Sequence, residues 1–263
     1  MNILTFAEHK RKHEKLVMVT CYDYTAARIV AQADIDMILV GDSAAMVMHG
    51  HDSTLPISTD EMAMHVRAVR RGAPKTFIVG DLPFLSYRRS QSETMDAVAR
   101  LMRAGAEAVK LEGIAGNAEI IRHIVDSGVP VMGHIGLTPQ SVNQLGGFRV
   151  QGVEADDRER LKREAVACQE AGCFALVLEC VPETLAAEIT SLLKIPTIGI
   201  GAGAETDGQV LVMHDLLGLN LDFKPKFVRR YLDGNKQWLD AFNQYASDVR
   251  SGEFPASEER YAG

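Results

Sequence analysis

Residues 37–43, with the sequence MILVGDS, form an apolar run that ends at a glycine and is followed at once by an acid. Residues 77–81 (FIVGD) repeat this arrangement, and residues 109–113 (VKLEG) and 176–180 (LVLEC) share its run that ends in an acid. A short, continuous apolar run is typical of a strand that is buried on both faces, as in a parallel sheet. These four runs therefore predict parallel strands that each deliver a carboxylate at the carboxyl end.

Eight segments of the chain fit this description of a buried strand, and nearly all are followed by a helical pattern. The predicted strands are residues 16–20, 37–40, 76–80, 108–111, 130–133, 174–178, 197–201 and 209–213. Eight strand–helix units in a chain of 263 residues favour an α/β fold of the closed (βα)8 TIM-barrel type. An open doubly wound sheet would also alternate, but it normally has a glycine-rich turn after its first strand, and residues 21–23 (CYD) have none.

No linker rich in Pro, Gly and Ser divides the chain, so we expect one catalytic domain over residues 1–263, with extra terminal helices. Its polar tail, after about residue 251, is expected to be loose.

Composition excludes several functional classes. With 28 basic and 35 acidic residues, the net charge is -7, and no basic cluster predicts nucleic acid as a partner. The apolar stretches are too short for a membrane span, and residues 1–16 lack a secretory pattern, so a cytoplasmic protein is expected. The four cysteines form no CxxC pair, which favours reduced thiols over zinc or disulfides.

In a TIM barrel the carboxyl ends of the strands carry the active site. The ionisable residues predicted there are Asp42, Asp81, Lys110, Glu112, His134 and Glu179. Carboxylates that share one volume raise each other's pKa unless a cation lies between them. Oxygen ligands without cysteine suit Mg²⁺ better than Zn²⁺. The alternative is that some of these acids cap helices or pair with arginines.

Lys110 lies two residues before Glu112, so both side chains are expected to point into the barrel. A buried lysine needs an anion beside it, either a ligand or one of the acids. His134 is expected either to contact substrate or to be a satisfied buried histidine. His49 and His51 are interpreted as structural or lid residues. The glycine-rich segment 199–203 is a weak phosphate-site signal that close backbone packing explains equally well.

Several blocks of the sequence, spread between about residues 18 and 230, resemble the ketopantoate hydroxymethyltransferase family. These blocks are residues 20–23 (TCYD), 40–43 (VGDS), 49–56 (HGHDSTLP), 70–74 (RRGAP), 80–84 (GDLPF), 109–113 (VKLEG), 133–140 (GHIGLTPQ), 146–148 (GGF), 178–182 (LECVP), 198–203 (IGIGAG) and 207–215 (DGQVLVMHD). The two termini fall outside them.

The resemblance implies an enzyme that transfers a hydroxymethyl group from 5,10-methylenetetrahydrofolate to 3-methyl-2-oxobutanoate. The product would be 2-dehydropantoate, in pantothenate biosynthesis, formed by Mg²⁺-assisted enolate chemistry. It also implies a large homo-oligomer, typically a decamer.

The resemblance also implies roles for individual residues. Asp42, Asp81 and Glu112 match the family's metal site, and Glu112 is expected to act either directly or through water. Ser43 and Lys110 match groups that hold the 2-oxo acid, while Glu179 matches the general base. The full set of expected substrate-binding residues is Asp42, Ser43, Asp81, Lys110 and His134.

Two other functions remain open. Another Mg²⁺-dependent barrel that acts on 2-oxo acids, such as a carbon–carbon lyase or a mutase, would share the acids. Such an enzyme should carry a catalytic cysteine in a mobile loop, and the candidate loops contain none. A non-catalytic metabolite-binding barrel should have lost an acid, the lysine or the base, and all are present.

Overall fold

The computed structural model describes residues 2–221 and 225–261. It divides into two compact units, Met1–Val212 and Met213–Gly263. The single domain expected over residues 1–263 stays a prediction.

The first unit contains eight strands that form a closed, all-parallel barrel in the order of the chain, from β1 to β8 and back to β1. The strands are β1 (Leu16–Thr20), β2 (Met37–Val40), β3 (Phe77–Asp81), β4 (Ala108–Glu112), β5 (Val131–Gly136), β6 (Ala175–Glu179), β7 (Thr197–Ile200) and β8 (Gly208–Leu211). This confirms the predicted fold class. The prediction for β8 extended too far, because Met213 already begins a helix.

Nine α-helices precede, connect and surround these strands within the described part of this unit. They are α1 (Ile3–Lys12), α2 (Tyr24–Val30), α3 (Ala44–Val47), α4 (Thr59–Gly72), α5 (Gln91–Ala104), α6 (Ala118–Asp126), α7 (Val142–Leu145), α8 (Ala155–Glu170) and α9 (Glu183–Leu192). Residues 58–61 (STDE) have the sequence of a capping box, and the structure contains one before α4. Glu61 donates its backbone N–H to Ser58 Oγ at 3.3 Å, and Glu61 Oε2 accepts the Ser58 N–H at 2.7 Å.

The sequences of segments 42–57 and 136–152 show no helical period and are typical of loops, but both segments contain short helices. The first contains α3, and the second contains a 3-10 turn at Pro139–Ser141 followed by α7. Each is about one turn long, which is too short for an apolar period to reveal.

The interior of the barrel is layered along the strands. Alternate strand residues point inward. Those that precede the carboxyl ends of the strands are apolar and buried. This core comprises Phe6, Leu16, Met18, Met37, Leu39, Phe77, Val79, Ala108, Met132, Ala175, Val177, Ile198 and Val210. Phe6, on α1, is fully buried at the amino end of the barrel. Its ring packs against Phe77 at 5.0 Å and Phe174 at 6.1 Å between centroids. The aromatic contacts therefore close the barrel at this end.

The second unit contains α10 (Met213–Leu216) and α11 (Gly234–Ser251). The sequence of residues 225–249 is typical of helices, but in that span the structure is helical only from Gly234 onward. Trp238 and Phe242, which the sequence pattern would place as apolar positions of a helix, are 59% and 65% exposed. Beyond α11 the chain forms a 3-10 turn at Ser257–Glu259.

Within residues 2–221 and 225–261, no helix combines the length and the apolar character that a bilayer crossing requires. The four cysteines are free thiols. Cys21, Cys168 and Cys173 are buried, and Cys180 is half-buried.

Candidate active site

The apolar layers of the barrel give way to ionisable residues at the carboxyl ends of the strands. On β3 the inward series runs Phe77, Val79, Asp81, and on β4 it runs Ala108, Lys110, Glu112. Because side chains alternate along a strand, Asp81 and Glu112 point to the same inner face of the barrel as the residues two and four positions before them. The predicted inward orientation of Lys110 and Glu112 is confirmed.

Strand register brings opposite charges side by side. Asp81 on β3 pairs with Lys110 on β4, and Glu112 on β4 pairs with His134 on β5. Lys110 Nζ lies 2.9 Å from Asp81 Oδ2, and both side chains are buried. Lys110 also lies 3.3 Å from His134 Nδ1. The lysine thus has its anion within the site.

His134 links two carboxylates on different strands. Its Nδ1 lies 3.4 Å from Glu112 Oε1, and its Nε2 lies 3.2 Å from Glu179 Oε2. Both contacts are within ion-pair distance but are not aligned as hydrogen bonds. Burial and the Lys110 ammonium lower the pKa of His134, but the two carboxylates outweigh them and raise it to about 9. The imidazole is therefore biased toward its charged form.

Gly136 lets β5 and β6 meet closely beside this histidine. It pairs with Glu179 in the register and has a φ of +95°, which is in the left-handed region. A Cβ at this position would overlap the carbonyl oxygen of Glu179. A glycine is therefore required where the two strands position His134 and Glu179.

Asp42 follows the end of β2 and joins the same cluster. Its backbone N–H donates to Asp81 Oδ2 at 3.2 Å, and its Oδ2 accepts the Gln140 side-chain amide at 2.8 Å. All four predicted strand-end carboxylates, those of Asp42, Asp81, Glu112 and Glu179, thus belong to one continuous network with Lys110 and His134.

Gln140 and Tyr87 belong to this network but were not predicted. The Gln140 backbone N–H donates to Glu112 Oε2 at 3.0 Å, and Tyr87 donates its hydroxyl to Gln140 Oε1 at 2.7 Å. The only signal in the sequence was the position of Gln140 at the end of the family-like block GHIGLTPQ. Neither residue ends a strand, so the strand-end pattern could not find them.

Ser43 lies next to Asp42, and its Oγ lies 2.8 Å from the hydroxyl of the buried Tyr22. The backbone carbonyl of Tyr22 lies 2.7 Å from His65 Nδ1. Because a carbonyl only accepts, this nitrogen carries the proton. His65 Nε2 then accepts from His49 Nε2, 2.8 Å away. His49 therefore has a hydrogen-bonding role between the loop and α4, and His51 stacks on it at 6.4 Å.

The glycine-rich segment after β7 is explained by close packing. A Cβ at Gly199 would lie 2.7 Å from Thr206 Oγ1 and 3.2 Å from Gln209 Nε2. This closeness supports the packing interpretation of that segment.

Burial dominates the electrostatics of the acids. It raises the pKa of Asp81 to about 7, although the Lys110 ammonium opposes the shift. Burial and Glu112 likewise raise the pKa of Asp42. Burial lowers the pKa of Lys110, but the acids outweigh it, and the net shift is upward. Four carboxyl groups thus share one ammonium and one imidazole, an acidic excess that favours a further cation.

Two buried carboxylate oxygens of the cluster are suited to bind a divalent metal ion. Asp81 Oδ1 and Glu112 Oε1 are buried and accept no hydrogen bond from the described residues. Oxygens of this kind are the ligands that Mg²⁺ prefers. Within the described ranges, however, no group of three or more His, Cys, Asp or Glu side chains is arranged to hold an ion alone. The site therefore fits an Mg²⁺ ion that takes part of its shell from water or substrate.

A sequence model of the family described as ketopantoate hydroxymethyltransferase matches residues 1–257. Several relatives carry the name 3-methyl-2-oxobutanoate hydroxymethyltransferase. The one from Bdellovibrio bacteriovorus is 58% identical over 260 residues, which is 99% of each chain. One from Francisella tularensis subsp. tularensis is 53% identical, covering 99% of this chain and 98% of the relative. One from Coxiella burnetii is 52% identical, covering 98% and 97%.

Solved structures with a similar fold are much more distant in sequence. A 2,3-dimethylmalate lyase, a member of the PEP mutase/isocitrate lyase superfamily, aligns with a TM-score of 0.63 at 14% identity, covering 99% of this chain and 91% of that one. Phosphonopyruvate hydrolase, in complex with oxalate and Mg²⁺, aligns with a TM-score of 0.64 at 11% identity, covering 98% and 92%. These likenesses establish the barrel fold alone.

Proposed function

Because the chain belongs to the ketopantoate hydroxymethyltransferase family, we propose that it transfers a hydroxymethyl group from 5,10-methylenetetrahydrofolate to 3-methyl-2-oxobutanoate. The product is 2-dehydropantoate, an intermediate of pantothenate biosynthesis. The observation that carries the proposal is the Asp42–Asp81–Lys110–Glu112 cluster, which His134 connects to Glu179.

Glu179 acts as the general base. Its side chain is 16% exposed, whereas those of Asp81, Glu112 and His134 are almost fully buried. It lies on the far side of His134 from Glu112, and so is held apart from the acids proposed to bind metal. Glu179 removes the C3 proton of the oxo acid. Water adds to the methylene carbon of the folate and releases that carbon as formaldehyde, leaving tetrahydrofolate. The enolate attacks the formaldehyde carbon, and the alkoxide that forms takes up a proton to become the hydroxymethyl group.

Lys110 and Ser43 bind the carboxylate of the oxo acid. The ammonium supplies charge, and the Ser43 hydroxyl is oriented by Tyr22 at 2.8 Å. His134 holds Glu179 in place and completes the group of substrate-binding residues with Asp42 and Asp81.

The proposed cofactor is Mg²⁺, held by Asp42, Asp81 and Glu112, the last directly or through water. When bound, Mg²⁺ acts as a Lewis acid that makes the C3 proton of the oxo acid more acidic. The two buried carboxylate oxygens without donors support this assignment. At 11% identity, the Mg²⁺ in the phosphonopyruvate hydrolase structure carries no argument for this chain.

The alternative is a lyase or mutase like those of the PEP mutase/isocitrate lyase superfamily. Such an enzyme would need a cysteine that can exchange a proton near neutral pH. Burial, aided by the charge of Glu179, raises the pKa of the half-buried Cys180 to about 12, and the other three cysteines are buried. The available thiols therefore favour the hydroxymethyltransferase.

The two functions are separated by one assay. Purified protein is incubated with 3-methyl-2-oxobutanoate and Mg²⁺, with and without 5,10-methylenetetrahydrofolate, and 2-dehydropantoate is measured by mass spectrometry. Product should form only when the folate is present. Cleavage of a 2-oxo acid or a malate-type substrate without folate would favour the alternative.

The proposal includes self-association, which the resemblance implies as a decamer. Exposed apolar side chains on α11 support it, notably Trp238, Phe242 and Tyr245. Light scattering coupled to gel filtration measures the subunit number directly. Free thiols support a cytoplasmic location, where cysteines are kept reduced.

A further inference from the structure

We propose that Gln140 is a positioning residue, which fixes the orientations of Asp42 and Glu112 for a divalent cation and leaves Oε1 of Glu112 without a hydrogen bond. The inference rests on the proposed function in taking Mg²⁺ as that cation. It concerns how the chain builds the site, rather than which residues bind the ion.

Gln140 makes four hydrogen bonds through three of its polar groups. Its side-chain Nε2 donates to Asp42 Oδ2 at 2.8 Å and to the Leu82 carbonyl oxygen at 3.0 Å. Its Oε1 accepts from the Tyr87 hydroxyl, and its backbone N–H donates to Glu112 Oε2 at 3.0 Å. Gln140 is 4% exposed and lies in the 3-10 turn after β5.

Tyr87 and the Leu82 carbonyl fix the direction of the amide. If the amide were reversed, its oxygen would face two acceptors, the Leu82 carbonyl and the Asp42 carboxylate, and its nitrogen would face Tyr87. In the observed direction every group meets a complementary partner. The donor presented to Asp42 is therefore fixed by the loop after β3.

On Glu112 and on Asp81, one carboxylate oxygen is hydrogen-bonded and the other is not. Glu112 has Oε2 bound by the Gln140 N–H and Oε1 without a hydrogen bond. Asp81 has Oδ2 bound by Lys110 and by the Asp42 N–H, with Oδ1 without a hydrogen bond among the described residues. One oxygen of each carboxylate is thus held by a hydrogen bond, and the other accepts none, although Glu112 Oε1 also lies 3.4 Å from His134 Nδ1. Partners of this kind orient metal ligands in proteins and tune their affinity.

The two contacts of Gln140 can be separated experimentally. Replacing Gln140 with Met keeps the length of the side chain and the backbone N–H to Glu112, but removes the donor to Asp42. Tyr87→Phe keeps the amide but frees its oxygen, so that the amide can rotate. Gln144→Ala is the matched control, since Gln144 is exposed on α7 in the same loop.

The affinity for Mg²⁺ is measured by titration calorimetry at 15 °C, with 3-methyl-2-oxobutanoate present at saturation and with it absent. Loss of an orienting partner weakens metal affinity by about 10- to 100-fold, which we expect for Gln140→Met. For Tyr87→Phe, loss of one neutral hydrogen bond predicts a smaller loss, about three- to tenfold. Gln144→Ala should bind as the unchanged protein does.

The midpoint of thermal unfolding in EDTA distinguishes positioning from a general structural role. A structural role alone would lower that midpoint and leave the Mg²⁺ affinity of the folded protein unchanged, and this outcome would overturn the inference. If Gln140→Met does not fold, the Mg²⁺ affinity of Tyr87→Phe tests the inference instead. A Mg²⁺ affinity within twofold of that of the unchanged protein would then overturn the positioning role of Gln140. Absence of Mg²⁺ binding in the unchanged protein would contradict the proposed cofactor as well as this inference. Normal Mg²⁺ affinity in both variants, with product still formed by the unchanged protein, would overturn only the role of Gln140.

Discussion

The Nε2 atom of His134 lies 3.2 Å from the Oε2 atom of Glu179, on the side of the imidazole ring that faces away from Glu112. One ring therefore separates the proposed base from a proposed metal ligand. Two carboxylates that are alike in the sequence acquire different environments because a histidine lies between them.

Glu179→Gln should abolish proton removal and leave ligand binding intact. The amide keeps the size of the side chain but cannot accept the C3 proton. We expect exchange of that proton with solvent deuterium to fall by at least about 100-fold, measured by NMR on 3-methyl-2-oxobutanoate. The affinities of the Glu179→Gln protein for 3-methyl-2-oxobutanoate and for Mg²⁺ should not change. Glu170→Gln, exposed at the end of α8, is the control, and near-normal exchange in Glu179→Gln would show that the base is misassigned.

Asp42→Ala and Asp81→Ala should each weaken Mg²⁺-dependent binding of the oxo acid. Each change removes oxygen ligands that the other acids cannot replace, since Mg²⁺ requires a near-ideal arrangement of ligands. Titration calorimetry with and without Mg²⁺ measures the effect. Asp126→Ala, at the exposed end of α6, is the matched control. Unchanged Mg²⁺-dependent binding in both variants would mean that the metal site lies elsewhere.

Gly136→Ala should destabilise the protein and disturb Glu179 together. The new methyl group would overlap the Glu179 carbonyl oxygen and force a left-handed backbone on alanine. The expected cost is about 2–5 kcal/mol of unfolding free energy. Gly128→Ala is the control, because Gly128 has a similar φ of +89° but no atom near its Cβ position. It should lose only about 1 kcal/mol, and equal losses in urea unfolding would refute the role of close strand approach.

The thiol of Cys180 should report the charge of Glu179. Burial and that charge raise the pKa of the thiol to about 12, so at pH 8 it holds roughly a thousandfold less thiolate than an ordinary cysteine. Alkylation of Cys180, followed by mass spectrometry, should accelerate about tenfold per pH unit from pH 7 to 10.

Removing the negative charge lowers the pKa, so Glu179→Gln should react faster than the unchanged protein at every pH in that range. Glu170→Gln should not. A plateau near pH 8.5 in the unchanged protein would contradict the raised pKa.

The barrel was predictable because eight continuous apolar runs are nearly all followed by a helical pattern, and the orientation of its acids was predictable from the two-residue period of a strand. Once residues 77–81 and 109–113 are recognised as strand ends, the inward positions of Asp81, Lys110 and Glu112 follow from parity. Gln140 and Tyr87 were not predictable in this way. They reach the acids from loops, where no period relates the position in the chain to the position in space.

Some of the helices were also predictable from the sequence, and others were not. The capping box at Ser58 and Glu61 marks the start of α4 in the sequence itself. The one-turn helices α3 and α7 carry no such signal, because their conformation depends on contacts with distant parts of the fold.

Phe6 has a kinetic consequence for the proposed reaction. Because its ring closes the amino end of the barrel against Phe77 and Phe174, we expect the oxo acid and the folate both to enter at the carboxyl end. The acids proposed to bind the smaller molecule lie on the inner face of the strands at that end. We therefore expect compulsory order, in which the oxo acid enters before the folate and the folate product departs first.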